Sequence, residues 1–108
     1  MSPTMPPALS MYFTASNKHD VDAMIAVFSQ EATVKDEGKE RHGSNAIRAW
    51  MNDTIRRYNF KAEPTGVARE HDRTVVTAII SGTFPGSPVT LSYRFKLDGQ
   101  KIAHLEIG

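Results

Sequence analysis

An α+β fold follows from three features of the sequence: helical patterns gather in its first half, the apolar period changes to two after Asn59, and the strands that follow are joined by turn segments. Pro6-Pro7 can open a helix, because the N–H that proline lacks is unpaired in a first turn anyway. Leu9, Tyr12, Phe13 and Ser16 then recur at helical spacing, which predicts a helix from about Pro7 to Ser16. Asp20 suits the N-cap of a second helix, in which Val21, Met24, Ile25 and Phe28 form one apolar stripe ending near Ser29. Ala32 to Asp36 reads as a short strand with Asp36 at its end, and Glu37-Gly38-Lys39 as a turn. Gly43-Ser44 opens the longest helix, with Ile47, Trp50, Met51, Thr54 and Tyr58 on one side and Arg56-Arg57 complementing the dipole of its last turn.

Four strands are predicted beyond this point. Phe60 to Val67 is followed by the tight connection His71-Asp72-Arg73, and Thr74 to Phe84 is β-branched. Pro85-Gly86-Ser87-Pro88 turns the chain into Val89 to Leu97, where Val89, Leu91, Tyr93, Phe95 and Leu97 alternate with polar residues. Asp98-Gly99 leads to Lys101–Ile107, the last strand. Residues 1–6 are expected to be a flexible N-terminal segment and 7–108 one domain.

Composition narrows the function classes. Of 108 residues, 40% are hydrophobic and 23% charged, as in an ordinary soluble globule. The 13 basic and 12 acidic residues are scattered, so no basic stripe exists to neutralise a phosphate backbone and nucleic acid is not an expected partner. The absence of cysteine excludes disulfides and thiolate chemistry and is compatible with a reducing compartment. The N-terminus lacks the charged and apolar regions of a signal peptide, and no apolar run approaches membrane-spanning length. A cytoplasmic protein with no membrane partner is expected. The four histidines show no metal-binding spacing, and no metal is expected.

The run Tyr12-Phe13-x-Ala15-x-Asn17-x-x-Asp20-x-x-Ala23, followed by Phe28, Ala32-x-Val34-x-Asp36, Gly43, Ile47 and Trp50, resembles the N-terminal half of SnoaL-like polyketide cyclases and ketosteroid isomerase-like proteins of the nuclear transport factor 2-like superfamily. Tyr93-x-Phe95 and Asp98-Gly99-x-x-Ile102 extend the similarity over nearly the whole chain. The resemblance implies a cone-shaped, cystatin-like fold: three N-terminal helices packed on a strongly curved, mainly antiparallel sheet around an apolar cavity. Phe13, Phe28, Trp50, Tyr58, Leu91, Tyr93 and Phe95 would line that cavity, or serve as core in a domain that needs its large apolar side chains for stability.

Within this resemblance Tyr12 and Asp36 match the tyrosine and the general-base aspartate of ketosteroid isomerases, whose mechanism is a standard case of pKa tuning. An aspartate in a partly apolar cavity is a stronger base than in water, and a phenol can hydrogen-bond the oxygen on which enolate charge develops. Leu91 stands where those enzymes carry a protonated aspartic acid, so half of the oxyanion hole is missing. His104 is the candidate replacement: Ile102, His104 and Glu106 would share one face of the last strand, and the resemblance implies that this position points into the pocket, with Glu106 on the same wall, unless that polar face is simply solvated.

Three functions remain open. The first is a cofactor-independent isomerase, cyclase or lyase acting on a small apolar or carbonyl-bearing molecule, with Asp36 as base and Tyr12 as donor. The others are a ligand-binding pocket without turnover and a dimerisation module. A homodimer built sheet to sheet is expected: Val75-Thr77-Ile79 and Val76-Ala78-Ile80 make their strand apolar on both sides and Leu105 and Ile107 add to it, so in either register an apolar patch would remain on the convex face.

Overall fold

The computed structural model describes residues 4–108. Helix α1 (Pro7–Asn17), α2 (Val21–Ala26), strands β1 (Phe28–Asp36) and β2 (Lys39–His42), α3 (Ser44–Tyr58), β3 (Lys61–Glu70), β4 (Arg73–Ser81), β5 (Val89–Asp98) and β6 (Lys101–Ile107) follow one another along the chain. The six strands form one sheet in the order β2-β1-β6-β5-β4-β3. Among the described residues only the β1–β6 pairing is parallel, so the sheet is mainly antiparallel. Of the expected N-terminal segment, residues 1–3 lie outside the described residues; Thr4 to Pro6 carry no regular structure, and Met5 packs against the core.

The helices cover one face. Leu9, Tyr12 and Phe13 of α1, Met24 of α2, and Ile47, Trp50 and Met51 of α3 are buried against Val34, Val76, Tyr93, Phe95 and Leu105 of the sheet. Asn17, at the end of α1, donates from its amide nitrogen to the Ala62 carbonyl at 2.8 Å and accepts from the Ala62 N–H at 2.7 Å. This side chain therefore behaves like one more strand residue and fixes edge strand β3 to the helix layer.

Three local expectations are corrected. The second helix stops at Ala26, and Phe28 begins β1 instead of closing the apolar stripe of α2. The Phe28 ring is buried either way, and pairing with β6 through Ile102 satisfies backbone groups that a longer helix would otherwise hold. The segment Lys39–His42 is a strand although every residue in it is polar, as suits a short charged sheet edge. Its hairpin turn has positive φ at Glu37 (57°) and Gly38 (73°), the twist a two-residue connection favours.

The third correction concerns β6. Leu97 is opposite Ile102 but Lys96 is opposite His104, so Ala103 is an extra residue and the pairing shifts there. A one-residue shift exchanges the two faces of a strand. Ile102 and Leu105 are consequently both fully buried, while His104 and Glu106 lie opposite Lys96 and Arg94 on the outer face. Leu105 and Ile107 therefore do not contribute to an outer apolar patch. Ile79, 37% exposed, is the one large apolar side chain of the sheet that stands markedly open to solvent among the described residues.

Candidate functional site

Between the helices and the inner face of the sheet lies a cavity of about 470 Å³. Tyr12 reaches it from α1, Met24 from α2, Trp50, Thr54 and Tyr58 from α3, Ile80 from β4, Val89, Leu91 and Tyr93 from β5, and Ile107 from β6. The alternation of β5 that the sequence displays is what sends Leu91 and Tyr93 to this side. All three tyrosines of the chain line the space.

Asp36 ends β1, where the strand runs out into the cavity wall, and it is half-buried. Trp50 donates its indole Nε1–H to Asp36 Oδ2 at 3.0 Å, across the space between α3 and β1. Burial raises the Asp36 carboxyl above its ordinary value, aided by the neighbouring Glu37 charge, while the Trp50 hydrogen bond and the Arg41 guanidinium pull it the other way without prevailing. Arg41 itself donates to the backbone carbonyls of Asp36 and Lys39, at 2.6 and 3.2 Å.

Tyr12 and Tyr93 are buried, and their phenols are pushed well up, mainly by desolvation. Both stay neutral and available as hydrogen-bond donors. Phe13, Phe28 and Phe95 do not line the cavity but stand behind these two rings, with edge contacts of 5.6 Å from Tyr12 to Phe95, 5.8 Å from Tyr12 to Phe28 and 5.1 Å from Phe13 to Tyr93. Such contacts hold the phenols in place.

At the mouth, Glu37 accepts from Arg57 at 2.8 Å and from the Tyr58 hydroxyl at 2.7 Å, and Arg57 also pairs with Asp53 at 2.9 Å. These donors hold the Glu37 carboxyl below its ordinary value. The β4–β5 loop closes another side, where the Thr83 N–H donates to the Tyr58 carbonyl at 2.9 Å. Gly82 lies so close that an added Cβ would be driven into the Tyr58 carbonyl oxygen, with the Phe84 ring at 3.0 Å.

The structure thus brings Tyr12, Asp36, Trp50, Tyr58, Leu91 and Tyr93 to one cavity, and leaves Phe13, Phe28 and Phe95 in the core. His104 and Glu106 are corrected: the irregularity at Ala103 turns them to the outer face. There His104 shares a hydrogen bond with Thr33 Oγ1, and Glu106 accepts from Arg73 at 3.5 Å. Glu37, Phe60 and Phe84 belong to the cavity without having been picked out from the sequence. The Glu37-Gly38 turn gave no hint that it would face the α3 terminus, since that proximity is tertiary. Among the described residues no group of three or more histidine, aspartate or glutamate side chains is arranged to hold a metal, and no helix is long and apolar enough to cross a membrane.

Three helices on one face of a curved sheet, with a carboxylate and phenols converging in a mainly apolar cavity, make up the nuclear transport factor 2-like, ketosteroid isomerase-like fold. The chain belongs to the SnoaL-like domain family, whose model matches residues 9–105. It is similar to a candidate polyketide cyclase of Sinorhizobium meliloti, with 39% identity, 96% of this chain and 95% of that chain covered, and a TM-score of 0.92. A ketosteroid isomerase-like fold protein of Catenulispora acidiphila, solved in complex with trimethylamine, shares 20% identity over 97% of this chain and 86% of that one, with a TM-score of 0.84. The epoxide hydrolase/cyclase-like enzyme SalBIII, from pyran ring formation in salinomycin, shares 24% identity over 93% and 85%, with a TM-score of 0.80. Among curated proteins none matches the chain.

Proposed function

We propose that this protein is a cofactor-independent isomerase, cyclase or lyase that moves a proton at a carbon next to a carbonyl. The observation that carries the reading is the half-buried Asp36 carboxylate, raised in pKa and with one oxygen held by Trp50 in a mainly apolar cavity. The similarity to a candidate polyketide cyclase supports the same class of chemistry.

In this mechanism Trp50 occupies Oδ2 and leaves Oδ1 to accept the proton. The C–H electron pair moves into a carbon–carbon double bond, and negative charge develops on the carbonyl oxygen. Tyr12 and Tyr93 donate hydrogen bonds to that oxygen, which matters most where water is excluded. Tyr93, two residues along β5 from Leu91 on the same face, takes the part for which His104 was the candidate. Asp36 then returns the proton to another carbon, which is isomerisation, or the enolate carbon attacks a second carbonyl of the same ligand, which closes a ring, and the alkoxide so formed takes the proton back from Asp36.

The test is hydrogen–deuterium exchange into ketones and diketones of cavity size. Wild type exchanges the protons next to the carbonyl, Asp36→Asn loses exchange while keeping ligand affinity, and Tyr12→Phe is less impaired. Equal exchange by wild type and Asp36→Asn would overturn the mechanism. Binding without exchange by wild type would favour the second reading, a ligand-binding pocket, which the apolar Leu91 in place of an oxyanion donor supports.

A further inference from the structure

The charge lining the cavity is one-sided. Asp36 and Glu37 contribute carboxylates and Tyr12, Tyr58 and Tyr93 contribute phenols, while among the described residues no lysine, arginine or histidine lines it. Glu37 already has its cation in Arg57. Among the described residues Asp36 makes no ion pair: its side chain accepts from the neutral Trp50 indole, and the nearby Arg41, whose charge is felt only at a distance, spends its hydrogen bonds on backbone carbonyls. An ionised carboxylate facing an apolar space without a counter-ion is costly, and a ligand that brings the missing charge relieves that cost.

The walls restrict what form the cation takes. A primary ammonium needs three acceptors to replace its water, and Met24, Trp50, Phe60, Phe84 and Leu91 supply none, so only the carboxylates and hydroxyls elsewhere on the wall would serve it. A nitrogen bearing alkyl groups has no such requirement. It presents an apolar shell to the walls, lets its charge act on Asp36 through that shell, and is attracted to aromatic rings, the usual mode of recognition for quaternary ammonium groups.

We infer that the cavity binds alkylated ammonium ions, with the cationic nitrogen beside Asp36 and its alkyl substituents against the aromatic wall. This ligand class is distinct from the neutral carbonyl compounds of the proposed reaction, and it occupies the base, so such ions act as competitive inhibitors of any proton transfer there. The inference rests on lining charge and needs no catalysis.

Trp50 is the sole tryptophan of the chain and lines the cavity, so its fluorescence reports occupancy directly. The probes are benzyltrimethylammonium and its uncharged carbon isostere, neopentylbenzene. At pH 7 the cation is expected to bind at least about tenfold more tightly than the isostere, and Asp36→Asn to bring the two close together. In wild type the cation's affinity falls as pH drops through the Asp36 pKa, because the carboxylate is neutralised, and the Asp36 titration followed by NMR moves to lower pH in the complex. The groups facing Asp36 are Tyr12, Arg41, Trp50, Tyr58, Tyr93 and Glu37 with its partner Arg57. Of these Glu37 alone shares the acidic range, and Glu37→Gln separates its contribution. The wild-type pH series keeps the test decisive even if Asp36→Asn does not fold. Equal affinities for cation and isostere, no binding of the cation at millimolar concentration, or cation binding independent of pH would each overturn the inference. Loss of proton exchange with cation binding intact would instead overturn the catalytic reading alone.

Discussion

Asp36 and Glu37 are neighbours in sequence and opposites in behaviour. Asp36 ends a strand, lies half-buried against Trp50 and is raised in pKa by desolvation. Glu37 starts the turn, stands exposed at the mouth and is lowered by the donors of Arg57 and Tyr58. One peptide bond separates a carboxylate suited to take up a proton from one suited to keep a structural ion pair. The difference comes from direction: the strand aims Asp36 inward, and the positive φ of Glu37 turns the next side chain outward toward the α3 terminus.

The sharpest test of this contrast removes the inner charge. Asp36→Asn is expected to lower any proton-exchange rate by about a thousandfold or more, since the acceptor itself is lost. The same substitution should raise Tm at pH 7. A carboxyl whose folded pKa lies above its unfolded one destabilises the fold once ionised, so its cost appears as pH rises from the unfolded value through the folded one, and it is absent below both. Melting curves of both proteins across that range should converge at the acidic end. A lower Tm for Asp36→Asn at pH 7 would make Asp36 a structural carboxylate.

Next in size is the mouth. Gly82→Ala should cost about 1–3 kcal/mol, because the new Cβ meets the Tyr58 carbonyl and the Phe60 backbone, which cannot retreat as a side-chain end could. Chemical denaturation measures it, and a neutral result would show that the β4–β5 loop yields freely. Trp50→Phe keeps an aromatic ring and deletes the donor, so the Asp36 titration should move further up while the cavity persists. An unchanged titration would mean that water takes over the bond.

Glu37→Gln should have the smallest effect. Its ion pair is solvent-exposed, and such pairs contribute little after screening. Because the folded Glu37 pKa is lowered, the stabilisation is present above the unfolded value and lost as pH falls through the folded one, so the two proteins should differ slightly at pH 7 and coincide in acid. On the outer face, the proposed homodimer is tested by light scattering of wild type and Ile79→Lys; a monomeric wild type would refute it.

Helices α1 and α3 and the β5 face were legible in the sequence, and the family resemblance implied the convergence of Tyr12, Asp36 and Trp50. Apolar residues at helical spacing or in strict alternation have one way to be buried, and β5 sends Leu91, Tyr93 and Phe95 inward as its pattern requires. The same logic failed on β6, where Ala103 displaces the period by one residue. Nothing in Lys101–Ile107 marks that insertion, because its cause lies in the neighbouring strands, and with it went the inward readings of His104 and Glu106. The polar strand Lys39–His42 was equally silent, since its stability comes from backbone pairing with β1 rather than from its own side chains. The sequence alone therefore determined which residues are buried where side chains repeat regularly. Tertiary structure decided the register of the sheet, and with it which polar groups face the cavity, because register is set by pairing between strands far apart in the chain.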